Sequence, residues 1–265
     1  MKEYFIRYQR QIILEGFGIE AQKKLTNASV LVIGAGGLGC PIIQYLAASG
    51  VGHIGIADHD IISLSNLNRQ ILFGVDDIGK SKVDVSAKKI KIFNPEIKVS
   101  IFNKIWNQFL SLKHFPEFDI IIDATDNFAS RYLINDGCVL MGKPLVFGAV
   151  SKFEGQVSVF NVAKNNLITN YRDLFPLPPK ENEVMNCAEG GILGVLPGWI
   201  GVMQATETIK LITGIGNNLS NQLLTYDALQ QRISKIDLIK NPDSEKLIPK
   251  DMESYIRMNY ESLCQ

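Results

Sequence analysis

The stretch from residue 30 to residue 39 constrains the fold of this chain more than any other. It reads V-L-V-I-G-A-G-G-L-G, four β-prone apolar residues that run into Gly34, Gly36, Gly37 and Gly39. A strand, a glycine turn and then a helix are typical of the βαβ unit that binds dinucleotides. We expect Gly34 to permit the tight turn, Gly36 to let the backbone approach a phosphate, and Gly39 to let the helix pack on the strand. The motif alone fits an NAD(P) or FAD site, or a turn that binds nothing.

The order of apolar segments predicts the fold class. A second strand at 53–58 ends on Asp58, about 20 residues after the last glycine, where a Rossmann-like unit places its ribose-binding carboxylate. Further strands are predicted at 97–102, 118–123 and 144–150, with helices predicted at 81–93 and from about 127 to 141. From residue 154 onward apolar and polar residues alternate, which favours antiparallel pairing. We therefore predict an α/β fold: a Rossmann-like, mostly parallel sheet with antiparallel strands at one edge and helices on both faces.

Length and composition limit the organisation and the partners. The 265 residues suffice for one large domain, which we predict over 1–240, followed by a charged tail at 241–265. Because 27 basic residues balance 27 acidic ones, the net charge favours neither nucleic acid nor an anionic membrane as a partner. No apolar run reaches the roughly 18 residues of a membrane span. The N-terminus lacks a signal-peptide core, and the four cysteines form no C-x-x-C pair, so we expect a cytoplasmic protein.

Three polar clusters distinguish the chain from an ordinary NAD enzyme. They are the S-N-L-N-R-Q segment with Asn66, Arg69 and Gln70, then Lys82, and then Asp126 beyond the fourth strand. Two basic groups and a carboxylate near a phosphate-binding turn suit a nucleoside triphosphate with Mg²⁺, since Arg binds phosphate oxygens bidentately and Asp is a hard oxygen ligand. The plainer interpretations are that Arg69 and Lys82 are solvated surface charges, that Asp123 caps the next helix and that Asp60 is a loop residue.

The chain resembles the ThiF/MoeB/HesA family, the bacterial relatives of ubiquitin-activating enzymes. The resemblance extends from residue 4 to about residue 240. It is carried by R-Y-Q-R-Q-I-I-L at 7–14, G-A-G-G-L-G-C at 34–40, D-H-D-I-I-S-L-S-N-L-N-R-Q at 58–70, D-I-G-K-S-K at 77–82, D-A-T-D-N at 123–127, E-G-Q-V at 154–157 and N-C-A-E-G-G-I-L-G-V-L-P-G at 186–198.

The resemblance implies a reaction, in which Mg-ATP adenylates the C-terminal glycine carboxylate of a small ubiquitin-like sulfur carrier ending in Gly-Gly and pyrophosphate is released. It also implies a homodimer, in which Arg10 reaches the site of the second subunit. Asp58 would bind the ribose, and Asp126 would bind Mg²⁺. The other residues that it places at the nucleotide are Gly34, Gly36, Gly37, Gly39, Asp60, Asn66, Arg69, Gln70, Lys82 and Asn127.

Cys187 has a separate place in the resemblance. Some family members use the cysteine at this position to form a thioester or acyl-disulfide after adenylation, whereas others have it without a demonstrated need. A nearby helix N-terminus would favour the thiolate. A lone cysteine is most often a small buried apolar residue, so a catalytic role for Cys187 is left open.

The chain also departs from the family pattern. Many members bind a structural zinc through two C-x-x-C pairs, which fall here on Asn170 and Asp173, and on Ser244 and Leu247. None of these is a cysteine, so we predict that the chain binds no zinc. The departure leaves room for adenylation of a ribosomal peptide. Two other classes stay open: an NAD(P)-dependent oxidoreductase, and a non-catalytic module that docks a carrier.

Overall fold

The computed structural model describes residues 2–179 and 191–264. Each strand and helix is named here by its place along the chain. The strands are β1 (Ser29–Ile33), β2 (His53–Ala57), β3 (Lys98–Phe102), β4 (Ile120–Asp123), β5 (Leu145–Ser151), β6 (Glu154–Phe160), β7 (Gln222–Asp227) and β8 (Arg232–Asp237). The helices of the described ranges are α1 (Lys2–Ile12), α2 (Gly18–Asn27), α3 (Gly39–Ser49), α4 (Lys82–Phe93), α5 (Gln108–His114), α6 (Phe128–Leu140), α7 (Tyr171–Leu174), α8 (Val195–Thr213), α9 (Ser244–Leu247) and α10 (Met252–Arg257).

The strands form one sheet in the order β3-β2-β1-β4-β5-β6-β7-β8. The first five strands in that order pair in parallel, and β5, β6, β7 and β8 pair antiparallel. This confirms the predicted mostly parallel sheet with antiparallel strands at one edge. The chain reverses its order between β1 and β4, which makes their carboxyl ends the switch point where α/β sheets bind ligands.

The central strands β1 and β4 are almost entirely apolar because both faces of the sheet are covered there. Along β1, Val30 and Val32 belong to one core, and Leu31 and Ile33 belong to the other, as the two-residue repeat of a strand requires. Helices α3 and α8 pack over the first core, and α6 packs over the second. The prediction of helices on both faces is therefore confirmed.

Helix α5 was not predicted from the sequence. It spans only Gln108–His114 and begins at Asn107, whose side chain accepts a hydrogen bond from the Leu110 amide at 3.0 Å. Leu110 and Leu112 pack against the second core, so the helix is stabilised mainly by tertiary contacts.

The segment after residue 240 packs on the same face. Tyr255 is fully buried, and its hydroxyl donates to the Leu133 carbonyl on α6 at 2.9 Å. Tyr260 is also buried and donates to the carboxylate of Asp136 at 3.0 Å. The division of the chain at residue 240 stays a prediction, but part of the predicted tail contributes to the core of the sheet domain. Among the described residues, no helix is both long enough and apolar enough to cross a membrane.

The loop between β2 and α4 is fastened to α4 by an ion pair. Lys89 donates to the Asp77 carboxylate at 2.5 Å and to the Leu72 carbonyl at 2.7 Å. The same carboxylate accepts from the Gly74 amide at 2.9 Å. The hydrogen bond from Lys89, followed by that from Gly74, lowers the pKa of Asp77 below its usual value. These contacts attach the loop that carries Arg69 and Gln70 to α4.

We predict that Asp77→Asn weakens this attachment. Because the Lys89 side chain is 36% exposed, solvent screening limits the expected loss to about 0.5–1 kcal/mol at pH 7. Because the pKa of Asp77 is lowered in the folded state, the ion pair contributes its full stability above the unfolded-state pKa near 3.9. This contribution is lost as pH falls through the folded-state pKa of Asp77. Urea unfolding should therefore show a larger difference from wild type at pH 7 than at pH 3. Asp76→Asn, at an exposed neighbour, is the control, and an equal loss at both pH values would contradict the assignment.

Candidate nucleotide site

A cavity of about 280 Å³ opens at the carboxyl ends of β1, β2 and β4. Its position is the switch point of the sheet, where the fold class leads us to expect a ligand. The sequence-predicted residues that line it are Gly34, Gly36, Gly37, Asp58, Asp60, Arg69, Gln70, Lys82, Asp126 and Asn127. The structure thus brings together groups that lie up to 93 residues apart in the chain.

The glycine turn follows β1 and forms one wall of the cavity. Gly34 has φ of +101°, and a Cβ there would lie 2.5 Å from the Ala124 carbonyl oxygen. At Gly36, by contrast, a Cβ would meet only the Gln70 amide nitrogen, at 3.7 Å, so the backbone faces open space. A Cβ on Gly39 would lie 2.0 Å from the carbonyl oxygen of Gly34. Gly39 therefore acts by packing the helix on the strand and does not line the cavity.

Asp58 lies at the end of β2 and closes the turn from the other side. Its carboxylate accepts hydrogen bonds from the Ala35 amide at 2.7 Å and from the Asp60 amide at 2.8 Å. These bonds fix the carboxylate at the cavity wall beside the glycine turn. This is the placement that a ribose-binding carboxylate has in a Rossmann-like unit.

Lys82 is buried, with 4% of its surface exposed, at the start of α4. Its ammonium donates to the Asp60 carboxylate at 2.7 Å and lies 4.0 Å from the Asp58 carboxylate. Partial burial acts to raise the pKa of Asp60, but the hydrogen bond and charge of Lys82 outweigh burial and hold that pKa below its usual value. Lys82 is therefore a fixed, charge-paired cation at the cavity, and the interpretation as a solvated surface charge is wrong.

The loop after β2 presents Arg69 and Gln70 to the same space. Arg69 is half-buried, and its guanidinium donates to the Ser65 carbonyl at 3.0 Å and to the Asn68 side chain at 3.1 Å. Gln70 is buried, and its side-chain oxygen lacks a hydrogen-bond partner among the described residues. These groups retain capacity to bind a polar ligand in the cavity.

At the end of β4 and in the segment after it, three polar residues, Asp123, Asp126 and Asn127, have different environments. Asn127 caps α6 by accepting from the Ser130 amide at 2.9 Å. Asp123 is buried and accepts from the Thr125 amide at 2.9 Å and its hydroxyl at 2.6 Å, so the interpretation of Asp123 as the helix cap is wrong. Burial raises the pKa of Asp123. Asp126 is exposed at the cavity and, within the described chain, makes no hydrogen bond or ion pair, which fits a carboxylate that meets a metal ion.

Two other predicted site residues, Arg10 and Asn66, do not line this cavity. Arg10 is exposed on α1, and Asn66 accepts a hydrogen bond from the Ser63 amide at 3.0 Å within the loop. Cys187 lies outside the described residues.

Several residues that line the cavity were not predicted from the sequence. Lys104, Ile105 and Trp106 follow β3, while Ser151 ends β5 and Arg131 projects from α6. Lys104, Ile105 and Trp106 could have been predicted, because they follow the carboxyl end of a parallel strand, where α/β sheets bind ligands. Nothing in the sequence marks Arg131, which lies on a helix one turn beyond the cap.

The positions predicted to replace the zinc cysteines meet in space. The Asp173 carboxylate accepts from the Asn170 backbone amide at 2.8 Å and from the Ser244 hydroxyl at 2.6 Å. It also accepts from the Asn241 amide at 2.9 Å. Hydrogen bonds therefore join the segments on which the two C-x-x-C pairs would fall, and the absence of zinc stays a prediction.

Comparisons with known proteins fix the family. The ThiF family model matches residues 8–247. The chain belongs to the ThiF family. It is 44% identical to a sulfur carrier protein adenylyltransferase of Thermus thermophilus, over 91% of this chain and 90% of that protein. It is 47% identical to a probable adenylyltransferase/sulfurtransferase MoeZ of Mycobacterium tuberculosis, over 93% of this chain but only 63% of MoeZ. These names agree with the adenylyltransferase expected from the resemblance.

Solved structures agree on the fold of this ThiF-family chain. The crystal structure of E. coli MccB with ATP has a TM-score of 0.74 and 25% identity, over 89% of this chain and 72% of that one. The crystal structure of PaaA has a TM-score of 0.76 at 21% identity, over 91% of this chain and 75% of that one, and supports the fold alone.

Proposed function

We propose that this ThiF-family chain uses ATP to adenylate the C-terminal carboxylate of a small ubiquitin-like sulfur carrier. The observation that supports the proposal most strongly is the composition of the cavity. It joins a glycine turn and a ribose-type carboxylate, Asp58, with the cations Arg69 and Lys82 and the exposed carboxylate Asp126. The name of the Thermus thermophilus relative, which this chain matches over 90% of that protein's length, supports the carrier as substrate.

The chemistry requires positioning and positive charge more than proton transfer. A terminal carboxylate has a pKa of roughly 3.5, so it is already ionised at pH 7 and can attack the α-phosphorus without a general base. The barrier lies in bringing two anions together and in stabilising the departing pyrophosphate. Lys82 and Arg69 supply cations on the wall where the phosphates would lie. Asp126 would hold Mg²⁺, which neutralises phosphate charge when it is bound.

Pyrophosphate exchange tests the proposal. With Mg-ATP and a carrier ending in Gly-Gly, the chain should exchange labelled pyrophosphate into ATP, and a carrier that lacks the last glycine should not support exchange. Mg-ATP should also raise the melting temperature, whereas NAD should not. Stabilisation by NAD alone would favour the oxidoreductase, and binding of a carrier without exchange would favour a docking module.

The proposal includes a homodimer in which Arg10 enters the partner's site, and subunit mixing tests it. Arg10→Ala and Asp126→Ala should each be inactive alone. A heterodimer of the two variants would contain one site with its own Asp126 and an intact Arg10 from the other subunit. Because a twofold dimer repeats each interface, an equal mixture should recover about a quarter of wild-type exchange after subunit re-equilibration. No recovery, with heterodimers shown to form, would place Arg10 outside the shared site.

The absence of zinc is a further prediction. Asn170, Asp173, Ser244 and Leu247 supply no thiolate, so metal analysis of the purified chain should give well under one zinc per chain. Treatment with EDTA should leave the melting temperature unchanged. One tightly bound zinc per chain, lost together with stability on chelation, would contradict the prediction.

A further inference from the structure

Arg131 places a buried cation in the wall of the nucleotide cavity. Its side chain is 7% exposed, and its guanidinium carbon lies 5.2 Å from the ring centre of Phe128 and 5.9 Å from that of Phe147. Its Nε is buried without a hydrogen-bond partner, and no hydrogen bond or ion pair joins the guanidinium to another described residue. A buried charge is costly unless an opposite charge or hydrogen bonds compensate it, so this guanidinium has unused capacity for an anion.

Asp123 is the carboxylate whose charge acts on Arg131, but the two do not form a direct pair. One oxygen of Asp123 accepts from Thr125, and the other is buried with no hydrogen-bond partner in the described ranges 2–179 and 191–264. The charge of Arg131 lowers the pKa of Asp123, while burial raises it more strongly. The attraction therefore acts at a distance, and it leaves the hydrogen-bonding fork of Arg131 free for a ligand.

The position of Arg131 indicates which anion it would meet. Asp58 lies on the β2 side of the glycine turn, so the ribose belongs to that half of the cavity. Arg131 contacts Phe147 of β5 and shares the opposite half of the cavity with Ser151, at the end of β5. An anion at Arg131 would therefore approach the phosphates from the side of the cavity away from the ribose.

We propose that the Arg131 guanidinium binds the terminal carboxylate of the acyl substrate and holds it against the α-phosphate. The inference rests on the proposed function. One carboxylate oxygen forms the bond to the α-phosphorus, and the bond from that phosphorus to the bridging oxygen breaks. The electron pair leaves with pyrophosphate, and no proton moves. A bidentate guanidinium fixes both carboxylate oxygens in one plane, which directs one of them at the phosphorus.

The test compares two forms of one carrier, ending in a glycine carboxylate or in the matching carboxamide. Binding is measured in the presence of Mg²⁺ and the α,β-methylene analogue of ATP, which cannot release pyrophosphate. Wild-type chain should bind the carboxylate form at least about tenfold more tightly, since a charge-assisted bidentate pair is lost with the amide. Arg131→Gln should reduce this preference to about twofold or less. Arg257→Gln, at an exposed arginine on α10, should keep it.

Further measurements separate this role from a structural one. Arg131→Gln should bind the ATP analogue as wild type does, while its KM for the carrier rises by about tenfold or more. Arg131→Lys keeps the charge without the fork, so its carboxylate preference should fall between the other two, and it provides the test if the glutamine variant misfolds. An unchanged preference in folded Arg131→Gln, or weaker analogue binding with the preference intact, would overturn the inference. Absence of exchange by wild type with every Gly-Gly carrier would instead overturn the proposed function, and the inference with it.

Discussion

Asp126→Ala should abolish ATP–pyrophosphate exchange while leaving the fold intact. Asp126 is the exposed carboxylate just beyond β4, at the cavity wall. Loss of a group that organises charge around a transferring phosphate costs about 10³-fold in rate, and more where a metal ion is lost with it. Since Asp126 makes no hydrogen bond or ion pair with another described residue, its removal should change the melting temperature by less than about 2 °C.

The experiment needs a measure of rate and a measure of fold. Labelled-pyrophosphate exchange with a Gly-Gly carrier gives the rate, and circular dichroism with thermal melting confirms the fold. Asp76→Ala removes an equally exposed carboxylate from the loop between β2 and α4, and should exchange as wild type does. Asp126→Asn keeps the size of the side chain but is a weaker metal ligand, so raising Mg²⁺ should restore part of its activity. Near-normal exchange in Asp126→Ala would remove this residue from the mechanism.

The sheet and the β2 side of the site follow from the sequence for one physical reason. A parallel strand covered on both faces is apolar throughout, so β1, β2 and β4 stand out as short apolar runs. The residue that ends such a run lies at the carboxyl edge of the sheet, so the position of Asp58 in the chain is enough to predict its place at the ligand-binding edge. The glycine spacing adds the turn, because only glycine permits the φ of Gly34 and the contact at Gly39.

Other parts of the site depend on contacts that local sequence does not encode. Both Asp123 and Asn127 are good helix-capping residues, and the choice between them depends on burial of the end of β4. Arg131 lies on α6 among both polar and apolar residues, and its guanidinium lies near Phe147, 16 residues away on β5. Helix α5 has only two turns, too short for a clear helical period, and its two partly buried leucines pack on distant residues.

Breaking the buried pair of Arg172 and Asp136 by a single substitution should destabilise the chain strongly. The Arg172 guanidinium donates to both oxygens of Asp136, at 2.8 and 2.7 Å, and the two side chains are 1% and 0% exposed. Tyr260, from the segment after residue 240, donates to the same carboxylate. Removing one partner of such a pair leaves a buried charge without compensation, which typically costs about 3–5 kcal/mol. Arg172→Met should therefore lower the melting temperature by about 6–12 °C or more.

The loss of stability in Arg172→Met should depend on pH. Burial already raises the pKa of Asp136 in spite of Arg172. Loss of the arginine should raise that pKa further, so the native state binds a proton that the unfolded chain releases near pH 3.9. Stability then falls as pH rises between the unfolded-state and folded-state values, and the deficit of Arg172→Met should be larger at pH 8 than at pH 4. Adding Asp136→Asn should recover part of the loss at pH 8, because the uncompensated charge is gone. Arg257→Gln, which breaks an exposed pair with Glu253, is the control. If Arg172→Met lost no more stability than Arg257→Gln, and the loss did not change with pH, the buried pair would contribute little.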